Sequence, residues 1–402
     1  MSKPFPATHQ LIIWTSEPTR FLFVSARCFI SNPKGFPVLP KLAQDFIRGI
    51  IHQRPTIILA HIDLHLHPQG GEVAYLQYIR HLEKTSPQIQ AAEIEGTLEH
   101  FARGYQDYLQ APLQPLMDNL PSITYEMFEK DPVKYAQYEK AIELAVKDKL
   151  AVQERVLQER NRKEWNGDIE LIFGDMRSIE LPEKVDILVS ELLGSFGDNE
   201  LSPECLDGAM RFLGQNGVSI PSSYTAYLTP LSSTKLYSEV HSSLKDDKVA
   251  ETPYVVLFNA VNILSNDDQG PRKQCGGCIQ KCWSFAHPNY NINLDSRGLP
   301  FSNNHNSRSV VLNFYVPHVG VLHGLGGYFE TVLYGDIGLS IHPRTKDSIS
   351  PNMLSWFPLF FPLKASFFSR CFYIKLMLRY LGALIRTGKF GTACLIMAPN
   401  RY

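Results

Sequence analysis

The sequence shows almost no excess of charge of either sign. Its 402 residues carry 39 Lys and Arg against 40 Asp and Glu, which gives a formal net charge of −1. Proteins that bind nucleic acid through its phosphates normally present a basic face or tail. The composition therefore predicts no direct binding of nucleic acid, while local acidic sites could still bind basic proteins.

Long apolar runs are missing, and no amino-terminal secretion signal stands out. No stretch of 18 uninterrupted apolar residues occurs, whereas a helix that crosses a bilayer needs about 20. The cysteines number seven and are scattered, so we interpret Cys28, Cys205, Cys371 and Cys394 as reduced core thiols rather than a disulfide framework. These absences predict no membrane partner and a protein of the cytoplasm and nucleus.

A glycine-rich turn between a strand and a helix is also absent. Only glycine lets the backbone approach a nucleotide-like cofactor closely at that position of an α/β sheet. Between Lys149 and Asp168 the sequence instead has a charged, helical pattern. The glycine cluster at 324–327 is followed by strand-like rather than helical sequence, so we discount it as a cofactor turn.

The richest chemistry lies between Val185 and Leu213. Val185 to Val189 is a short, β-branched run typical of a buried parallel strand. Glu191 follows directly, at the end of the strand where α/β proteins bind their ligands. Gly194 and Gly197 favour a tight reversal, and Ser202-Pro203 predicts a helix cap followed by proline in the first turn.

Glu191 and Glu200 therefore stand on opposite sides of one loop. Two carboxylates offer four oxygens to a planar cation, and the guanidinium group has the matching fork of donors. At an effective dielectric near 20, each charge pair about 4 Å apart contributes about 4 kcal/mol. The loop predicts an arginine-binding clamp; the alternative is a solvated acidic loop without catalysis.

Outside this stretch, hydrophobic periodicity divides the chain into helical and strand-rich parts. Residues 93–165 have a helical pattern, and Asp131-Pro132 begins a long amphipathic helix. We predict a strand at 169–173, and alternating patterns predict strands at 254–258, 310–316 and 328–334. The change to alternation after residue 217 indicates an antiparallel, barrel-like domain.

Residues 190–208 read Ser-Glu-Leu-Leu-Gly-Ser-Phe-Gly-Asp-Asn-Glu-Leu-Ser-Pro-Glu-Cys-Leu-Asp-Gly. This stretch resembles the double-glutamate loop of type II protein arginine methyltransferases, which make symmetric dimethylarginine. Further stretches similar to the family, in the family's order between residues 28 and 363, are Leu113–Leu120, Tyr125–Tyr138, Gly174–Arg177, His323–Tyr334 and Pro351–Leu363.

The resemblance implies a set of site residues and a cofactor. Glu191 and Glu200 would be the catalytic pair, and the methyl donor would be S-adenosylmethionine; the family implies no metal. The implied cofactor contacts are Tyr125, Lys134, Tyr135, Asp175 and Met176, and the implied substrate contacts are Phe128, Ser355, Trp356 and Phe357.

The resemblance also implies partners and cellular roles. Substrates would be arginine-rich proteins such as histone tails and spliceosomal Sm-type proteins, which links the family to chromatin regulation and mRNA splicing. A WD-repeat propeller adaptor and a homo-oligomer are further implied. Because the glycine-rich turn is missing, the alternative is a catalytically inactive variant that binds or dimerises.

The implied fold class is α/β, with an incomplete Rossmann-like methyltransferase core. We place a remnant of an amino-terminal TIM barrel at 1–92, the core at 93–217, the β-barrel or oligomerisation domain at 218–363 and a divergent basic and apolar tail at 364–402. A whole TIM barrel needs about 200 residues, so the remnant cannot close and leaves strand edges open. Thr56 to Ala60 would be its last strand, and the first 26 residues match nothing recognisable.

Two segments depart from the family pattern. The polar insertion at 265–282 carries Cys275, Cys278 and Cys282, with His287 nearby. One close cysteine pair only hints at zinc, and we favour a disordered inserted loop. In the tail, Lys375, Arg379 and Arg386 can share a helical face, which fits a membrane-surface helix. We favour instead a replaced carboxyl terminus, from alternative splicing or an imperfect gene model.

Overall fold

The protein has an amino-terminal α/β part, a middle part with a short parallel sheet, and a carboxyl-terminal antiparallel part. The computed structural model describes residues 8–64, 66–67, 69–113, 120–150, 172–242, 252–270, 273–369, 372–380 and 394–398. The helices are α1 (Thr8–Thr15), α2 (Lys41–Ile50), α3 (Gly71–Lys84), α4 (Pro87–Glu93), α5 (Leu98–Phe101), α6 (Ser122–Phe128), α7 (Pro132–Leu150), α8 (Ser202–Ala209), α9 (Thr234–Ser242) and α10 (Lys346–Ile349), with 3₁₀ turns at Ala26–Cys28, Ile51–Gln53, Ile62–Leu64, Met210–Phe212 and Asn304–Asn306. The strands are β1 (Phe21–Ser25), β2 (Ile30–Ser31), β3 (Pro37–Val38), β4 (Thr56–Ala60), β5 (Val185–Val189), β6 (Leu213–Ile220), β7 (Ser223–Ser232), β8 (Tyr254–Val255), β9 (Asn262–Ile263), β10 (Gln280–Ala286), β11 (Arg308–Val316), β12 (Gly320–Tyr334), β13 (Ile337–Ser340), β14 (Leu359–Ser369), β15 (Phe372–Tyr380) and β16 (Cys394–Ala398).

The amino-terminal part is built on two parallel strands. β1 pairs with β4 in register from Phe21 opposite Thr56 to Ser25 opposite Ala60. The strand predicted at Thr56–Ala60 is confirmed, whereas β1 lies in the segment where no element was predicted. The side chains of Phe21 and Phe23 are 60% and 70% exposed, so part of this small sheet is uncovered.

The middle part contains one parallel strand pair, β5 with β6. The strand predicted at Val185–Val189 is confirmed, but its predicted burial is wrong because Val189 is 44% exposed. A parallel strand is buried when further strands and helices cover it, and here β5 pairs with β6 alone among the described strands. Of the strand predicted at 169–173, only Ile172 and Phe173 lie within the described residues, and neither is in a strand.

The region predicted as helical, residues 93–165, is interrupted by non-helical chain within its described part. α5 ends at Phe101, and the chain then runs beside the carboxyl-terminal domain, where the N–H of Asp107 donates to the carbonyl of Leu257 at 2.9 Å. The Asp107 carboxylate accepts the backbone N–H groups of Asn259 and Ala260, each at 2.8 Å. The predicted long helix is found as α7, and residues 151–165 lie outside the described residues.

Antiparallel sheets form the carboxyl-terminal part, as predicted. One sheet has the order β10-β7-β12-β14-β8, with β13 added to β12 and β9 to β7, and a second has the order β11-β15-β16. The strands predicted at 310–316 and 328–334 are parts of β11 and β12, whereas the one at 254–258 is only the short β8. The glycine cluster at 324–327 lies inside β12, which continues through the strand-like sequence that follows it.

The described part of the tail continues this antiparallel domain, which contradicts the alternative of a membrane-surface helix that includes Lys375. β15 pairs with β11 along its whole length, from Val316 opposite Phe372 to Arg308 opposite Tyr380. Leu376 and Leu378 are buried while Lys375 is exposed, a period of two that indicates a strand. Arg386 lies outside the described residues. Among the helices that the structure describes, none is long and apolar enough to cross a membrane.

The cysteine-bearing segment is packed, so its prediction as a disordered loop is wrong. The N–H of Gly276 donates to the carbonyl of Asn313 at 3.1 Å, and the hydroxyl of Thr229 donates to the carbonyl of Cys278. The three thiols are buried and free. Within the described ranges, no group of three or more His, Cys, Asp or Glu side chains is arranged to hold a metal ion.

Gly327 lets an aromatic side chain of the double-glutamate loop pack directly on β12. A Cβ atom at Gly327 would lie 2.7 Å from the ring of Phe361 and 2.9 Å from that of Phe196. We expect Gly327→Ala to lower the free energy of unfolding by about 1–3 kcal/mol, the usual effect of overpacking, measured as a fall in the thermal midpoint. Gly49→Ala is the matched control: its Cβ would meet Thr15 at an ordinary 3.6 Å, and a helical alanine stabilises. Equal midpoints for the two variants would contradict this account.

Candidate active site

The double-glutamate loop folds as a tight reversal between β5 and α8. The N–H of Gly197 donates to the carbonyl of Gly194 at 2.8 Å, and Gly197 has a φ of 83°, which favours glycine. The side chain of Asn199 accepts the N–H of Phe196 at 2.7 Å. Glycine is also needed at 194, because a Cβ there would lie 2.3 Å from the Asn199 amide.

α8 follows the loop but begins differently from the prediction. Ser202 is the first helical residue rather than the cap, and its hydroxyl donates to the carbonyl of Gly197 at 3.1 Å. Leu201 holds the cap position with a φ of 63°. Further along, the Asp207 carboxylate accepts hydrogen bonds from His305 and Asn306, each at 2.7 Å. These contacts anchor the carboxyl side of the loop to the antiparallel domain.

The underside of the loop is fixed by aromatic packing and one buried carboxylate. Phe196 makes edge contacts with Trp283 and Phe361, with ring centroids 5.8 and 5.3 Å apart. The indole N–H of Trp283 donates to Asp198 at 3.3 Å, and burial raises the pKa of Asp198 to about 7. These contacts fix the loop at Phe196 and Asp198, while Glu191 and Glu200 lie at its two ends.

Glu191 holds a cation in the structure. The ammonium nitrogen of Lys134, on α7, lies 3.3 Å from Glu191 Oε2. The Lys134 side chain is only 4% exposed and that of Glu191 is 39% exposed. Three rings surround the ammonium, with centroids 5.0 Å away for Tyr135, 5.3 Å for Trp356 and 5.8 Å for Phe128. These residues form what we call the cation cage: Phe128, Lys134, Tyr135, Glu191 and Trp356.

Glu200 lies close enough to the cage to respond to its charges. The pKa of Glu200 is raised to about 8, first by burial and then by the negative charge of Glu191, while the positive charge of Lys134 opposes the rise. At neutral pH the two glutamates therefore retain a proton on Glu200. A second cation near them would release that proton, because an opposite charge favours the ionised carboxylate.

Trp356 forms one wall of the cage in an unusual backbone conformation. Its φ is 63°, a region that bulky residues rarely adopt. The indole N–H donates to the carbonyl of Leu193 in the double-glutamate loop at 2.7 Å, and the ring meets Phe329 edge-on at 5.4 Å. The backbone N–H of the preceding Ser355 is bound by Asp131 at 2.7 Å.

The remaining predicted substrate and cofactor residues on this side lie around the cage. Tyr125 contacts Phe128 edge-on at 6.0 Å and is 44% exposed. Phe357, next to Trp356, is partly buried. Sequence reasoning missed Tyr138, whose buried hydroxyl donates to the carbonyl of Ser190 at 2.9 Å. Its only signal was a helical position one turn after Lys134.

Asp175 and Met176 belong to a separate local arrangement. The Asp175 carboxylate accepts hydrogen bonds from the Arg177 guanidinium, whose Nε lies 2.9 Å from Oδ1 and 3.1 Å from Oδ2. These hydrogen bonds lower the pKa of Asp175. Arg177 lies against α8, since a Cβ at Gly208 would be 2.8 Å from its side chain. Met176 is partly buried. The structure thus pairs Asp175 with Arg177, and the role predicted for Asp175 and Met176 stays a prediction.

Family models match almost the whole chain. The PRMT5 TIM barrel domain matches residues 1–85, the PRMT5 arginine-N-methyltransferase model matches 96–156 and 151–220, and the PRMT5 oligomerisation domain matches 223–375. The two stretches of the middle match meet where the glycine-rich turn is missing. The first match includes the 26 residues in which we recognised nothing, and the last extends beyond residue 363, so the predicted limits of the resemblance were too narrow.

Relatives from distant organisms are named as protein arginine N-methyltransferases. The chain is 40% identical to protein arginine N-methyltransferase 5 of Xenopus laevis, over 89% of this chain and 59% of the relative. It is 39% identical to protein arginine N-methyltransferase skb1 of Schizosaccharomyces pombe, over 87% of this chain and 60% of the relative. The chain therefore spans about 60% of the length of the curated relatives it matches.

Among solved structures, similarity is found to the Trypanosoma brucei PRMT1 enzyme-prozyme heterotetrameric complex with AdoHcy. The match has a TM-score of 0.39 and 15% identity, and covers 52% of this chain and 62% of that one. Together, the family models and the observed sheets confirm the predicted α/β fold class, with a TIM-barrel part, a methyltransferase part and an antiparallel, sheet-rich part in that order. The chain belongs to the PRMT5 family of protein arginine N-methyltransferases.

Proposed function

We propose that the chain binds the arginine side chains of arginine- and glycine-rich proteins in the cation cage and methylates them with S-adenosylmethionine. The observation that carries the proposal is the buried ammonium of Lys134, held 3.3 Å from Glu191 among three aromatic rings. A site that already stabilises one cation has the charge and the ring faces to stabilise a guanidinium.

The two glutamates would orient the guanidinium. Glu191 supplies an ionised carboxylate, and Glu200 supplies a second once its proton is released by the arriving cation. Trp356 adds a cation–π contact of about 0.5–2 kcal/mol. Fixing the guanidinium places the electron pair of one nitrogen toward the methyl donor, and the carboxylates stabilise the positive charge of the methylated arginine before a proton leaves.

The residues around Lys134 fit one end of S-adenosylmethionine. A buried ammonium suits the carboxylate of an amino-acid group, and the exposed rings of Tyr125 and Tyr135 can cover that group. When bound, the cofactor supplies an electrophilic methyl group on a sulfonium. Asp175 and Met176 are proposed to contact the adenine, which rests on the family resemblance.

Finer properties of the family are proposed for this chain on the same basis. They are symmetric dimethylation biased by Phe128, histone and spliceosomal Sm-type substrates, a WD-repeat adaptor, and residence in the cytoplasm and nucleus. Assembly into an oligomer is proposed from the match of residues 223–375 to the PRMT5 oligomerisation domain.

A second function, arginine binding without methyl transfer, is favoured by one observation. β5 is paired only with β6 among the described strands, and Val189 at its end is 44% exposed. A cofactor crevice in such folds lies between neighbouring parallel strands and their loops. Without further strands, the cation cage could persist while the nucleoside end of the cofactor lacks its support.

Calorimetric titration of the 402-residue chain with S-adenosylmethionine, and separately with a glycine-arginine-rich peptide, distinguishes the two functions. Saturable binding of both ligands, with symmetric dimethylarginine detected by mass spectrometry after mixing, is expected for the enzyme. Binding of the peptide alone would leave an arginine-binding protein. If the peptide does not bind, or binds no better than its arginine-to-lysine counterpart, the arginine cage is wrong.

Lys134 gives this proposal an additional test, because its ammonium competes for Glu191. We expect Lys134→Met to strengthen peptide binding in the absence of cofactor, by about three- to tenfold or 0.6–1.4 kcal/mol, and to weaken cofactor binding. Lys130→Met is the matched control, since Lys130 is 52% exposed and pairs with Glu126 outside the cage. Weaker binding of both ligands to the Lys134 variant would contradict internal competition.

A further inference from the structure

One buried carboxylate joins the helix that carries Lys134 to the turn that carries Trp356. Asp131 is 2% exposed and immediately precedes α7. Its Oδ1 accepts the backbone N–H groups of Val133 at 3.0 Å and Lys134 at 3.3 Å. This is the usual action of a helix cap, and Pro132, which has no N–H, suits the first helical position.

The second oxygen of the same carboxylate serves a different element. Asp131 Oδ2 accepts the backbone N–H groups of Leu354 at 3.0 Å and Ser355 at 2.7 Å. These residues lie 223 and 224 positions along the chain and lead directly into Trp356. One ionisable group thus receives four backbone donors from two distant segments, and hydrogen bonds to a carboxylate are stronger than those to neutral acceptors.

The turn needs such a restraint because Trp356 adopts a φ of 63°. For a bulky residue this conformation costs free energy and persists only where the surroundings fix it. Hydrogen bonds restrain both the backbone that precedes Trp356 and the Trp356 side chain. Asp131 holds the two preceding N–H groups, and the carbonyl of Leu193 holds the indole N–H at 2.7 Å.

We propose that Asp131 is a positioning residue that keeps two walls of the cation cage, α7 and the Trp356 turn, at a fixed separation. The two walls meet where the Lys134 ammonium lies 5.3 Å from the centroid of the Trp356 ring. These four hydrogen bonds of Asp131 all come from backbone N–H groups, so it acts through the backbone of both walls. The importance of this separation for arginine rests on the proposed function, whereas the coupling of helix and turn does not.

Two substitutions at Asp131 distinguish its role as the cap of α7 from its link to the Trp356 turn. Asparagine has one acceptor oxygen, so Asp131→Asn can satisfy only one pair of N–H groups and turns its amide donors toward the other pair. Serine is a good helix cap but has a short side chain with a single oxygen, so Asp131→Ser keeps α7 capped and releases the turn. Both variants lose the link, and the serine variant retains the helix.

The coupling can be measured without enzymatic activity. The full chain labelled with 5-fluorotryptophan has four tryptophans, and Trp356→Phe assigns the fluorine resonance of Trp356. We expect Asp131→Ser and Asp131→Asn to shift or broaden that resonance while the resonance of Trp283, packed under the loop, stays in place. The peptide Kd should rise about tenfold, because misplacing a binding wall weakens the cation contact.

Thr97→Ala is the matched control. The Thr97 side chain caps α5 by accepting the N–H of His100 at 3.2 Å, so this variant loses a helix cap without touching the cage. An unchanged Trp356 resonance in both Asp131 variants overturns the proposal, as does an equal change in the Thr97 variant. If the unsubstituted chain fails to bind the peptide, the proposed function falls while the fluorine spectra still decide the coupling.

Discussion

Glu191→Gln is expected to abolish arginine methylation and to weaken binding of a glycine-arginine-rich peptide by about a hundredfold. The substitution keeps the shape of the side chain and removes the charge that holds a cation 3.3 Å away in the structure. A hydrogen-bonded charge pair in a partly buried site contributes several kcal/mol, and each 1.4 kcal/mol is about a factor of ten in affinity. Peptide binding is measured by calorimetry and methylation by mass spectrometry.

The control for this experiment is Glu183→Gln. Glu183 precedes β5, is exposed and lies outside the loop, so the same change of charge occurs away from the cage. We expect its affinity for the peptide to stay within about twofold, as is usual for surface substitutions. Full methylation by the Glu191 variant, or equal losses in both variants, would remove Glu191 from the proposed clamp.

The double-glutamate loop could be predicted because its information is local. A β-branched run, two glycines and a Ser-Pro pair determine a strand, a reversal and a helix within about 25 residues, and local patterns of this kind are the most readable part of a sequence. The residue at the start of α8 was misassigned because Ser202 bonds to a carbonyl within the loop, a contact that depends on how the loop closes.

Contacts between distant segments could not be predicted in the same way. Asp131 could be recognised as a helix cap, but its second pair of donors comes from a turn more than 220 residues away. The placement of the Lys134 ammonium against Glu191 likewise depends on how α7 packs over the loop. Sequence patterns predict which side chains can bind a cation, and packing decides which cation they hold.

Two errors in the predicted elements also have physical causes. Basic residues near 375–386 suggested a helical face, yet the buried Leu376 and Leu378 alternate with the exposed Lys375 and pair with β11. A strand of mixed sequence is stabilised by its neighbours as much as by its own pattern. Conversely, β5 has the composition of a buried strand, but among the described strands it pairs with β6 alone, and Val189 is 44% exposed.

Peptide binding is expected to increase with pH through the titration of Glu200. The raised pKa of Glu200, about 8, comes first from burial and then from the charge of Glu191. The clamp binds a guanidinium through two ionised carboxylates, so the protonated fraction of Glu200 must lose its proton first. With that pKa, affinity should rise about fiftyfold between pH 6 and pH 8 and level off above about pH 9.

Glu200→Gln removes the titrating group and should leave a low affinity that hardly changes with pH. The pH dependence of the free energy of unfolding measures the titration of Glu200 independently of peptide binding. Glu200 would ionise near 4.5 when unfolded and near 8 when folded, so the folded state binds the proton more tightly and the free energy of unfolding falls as pH rises between these values. The glutamine variant should lose this part of the decline. A pH-independent peptide affinity in the unsubstituted chain would mean that Glu200 is already ionised or lies outside the clamp, and the two-carboxylate site would then reduce to Glu191 alone.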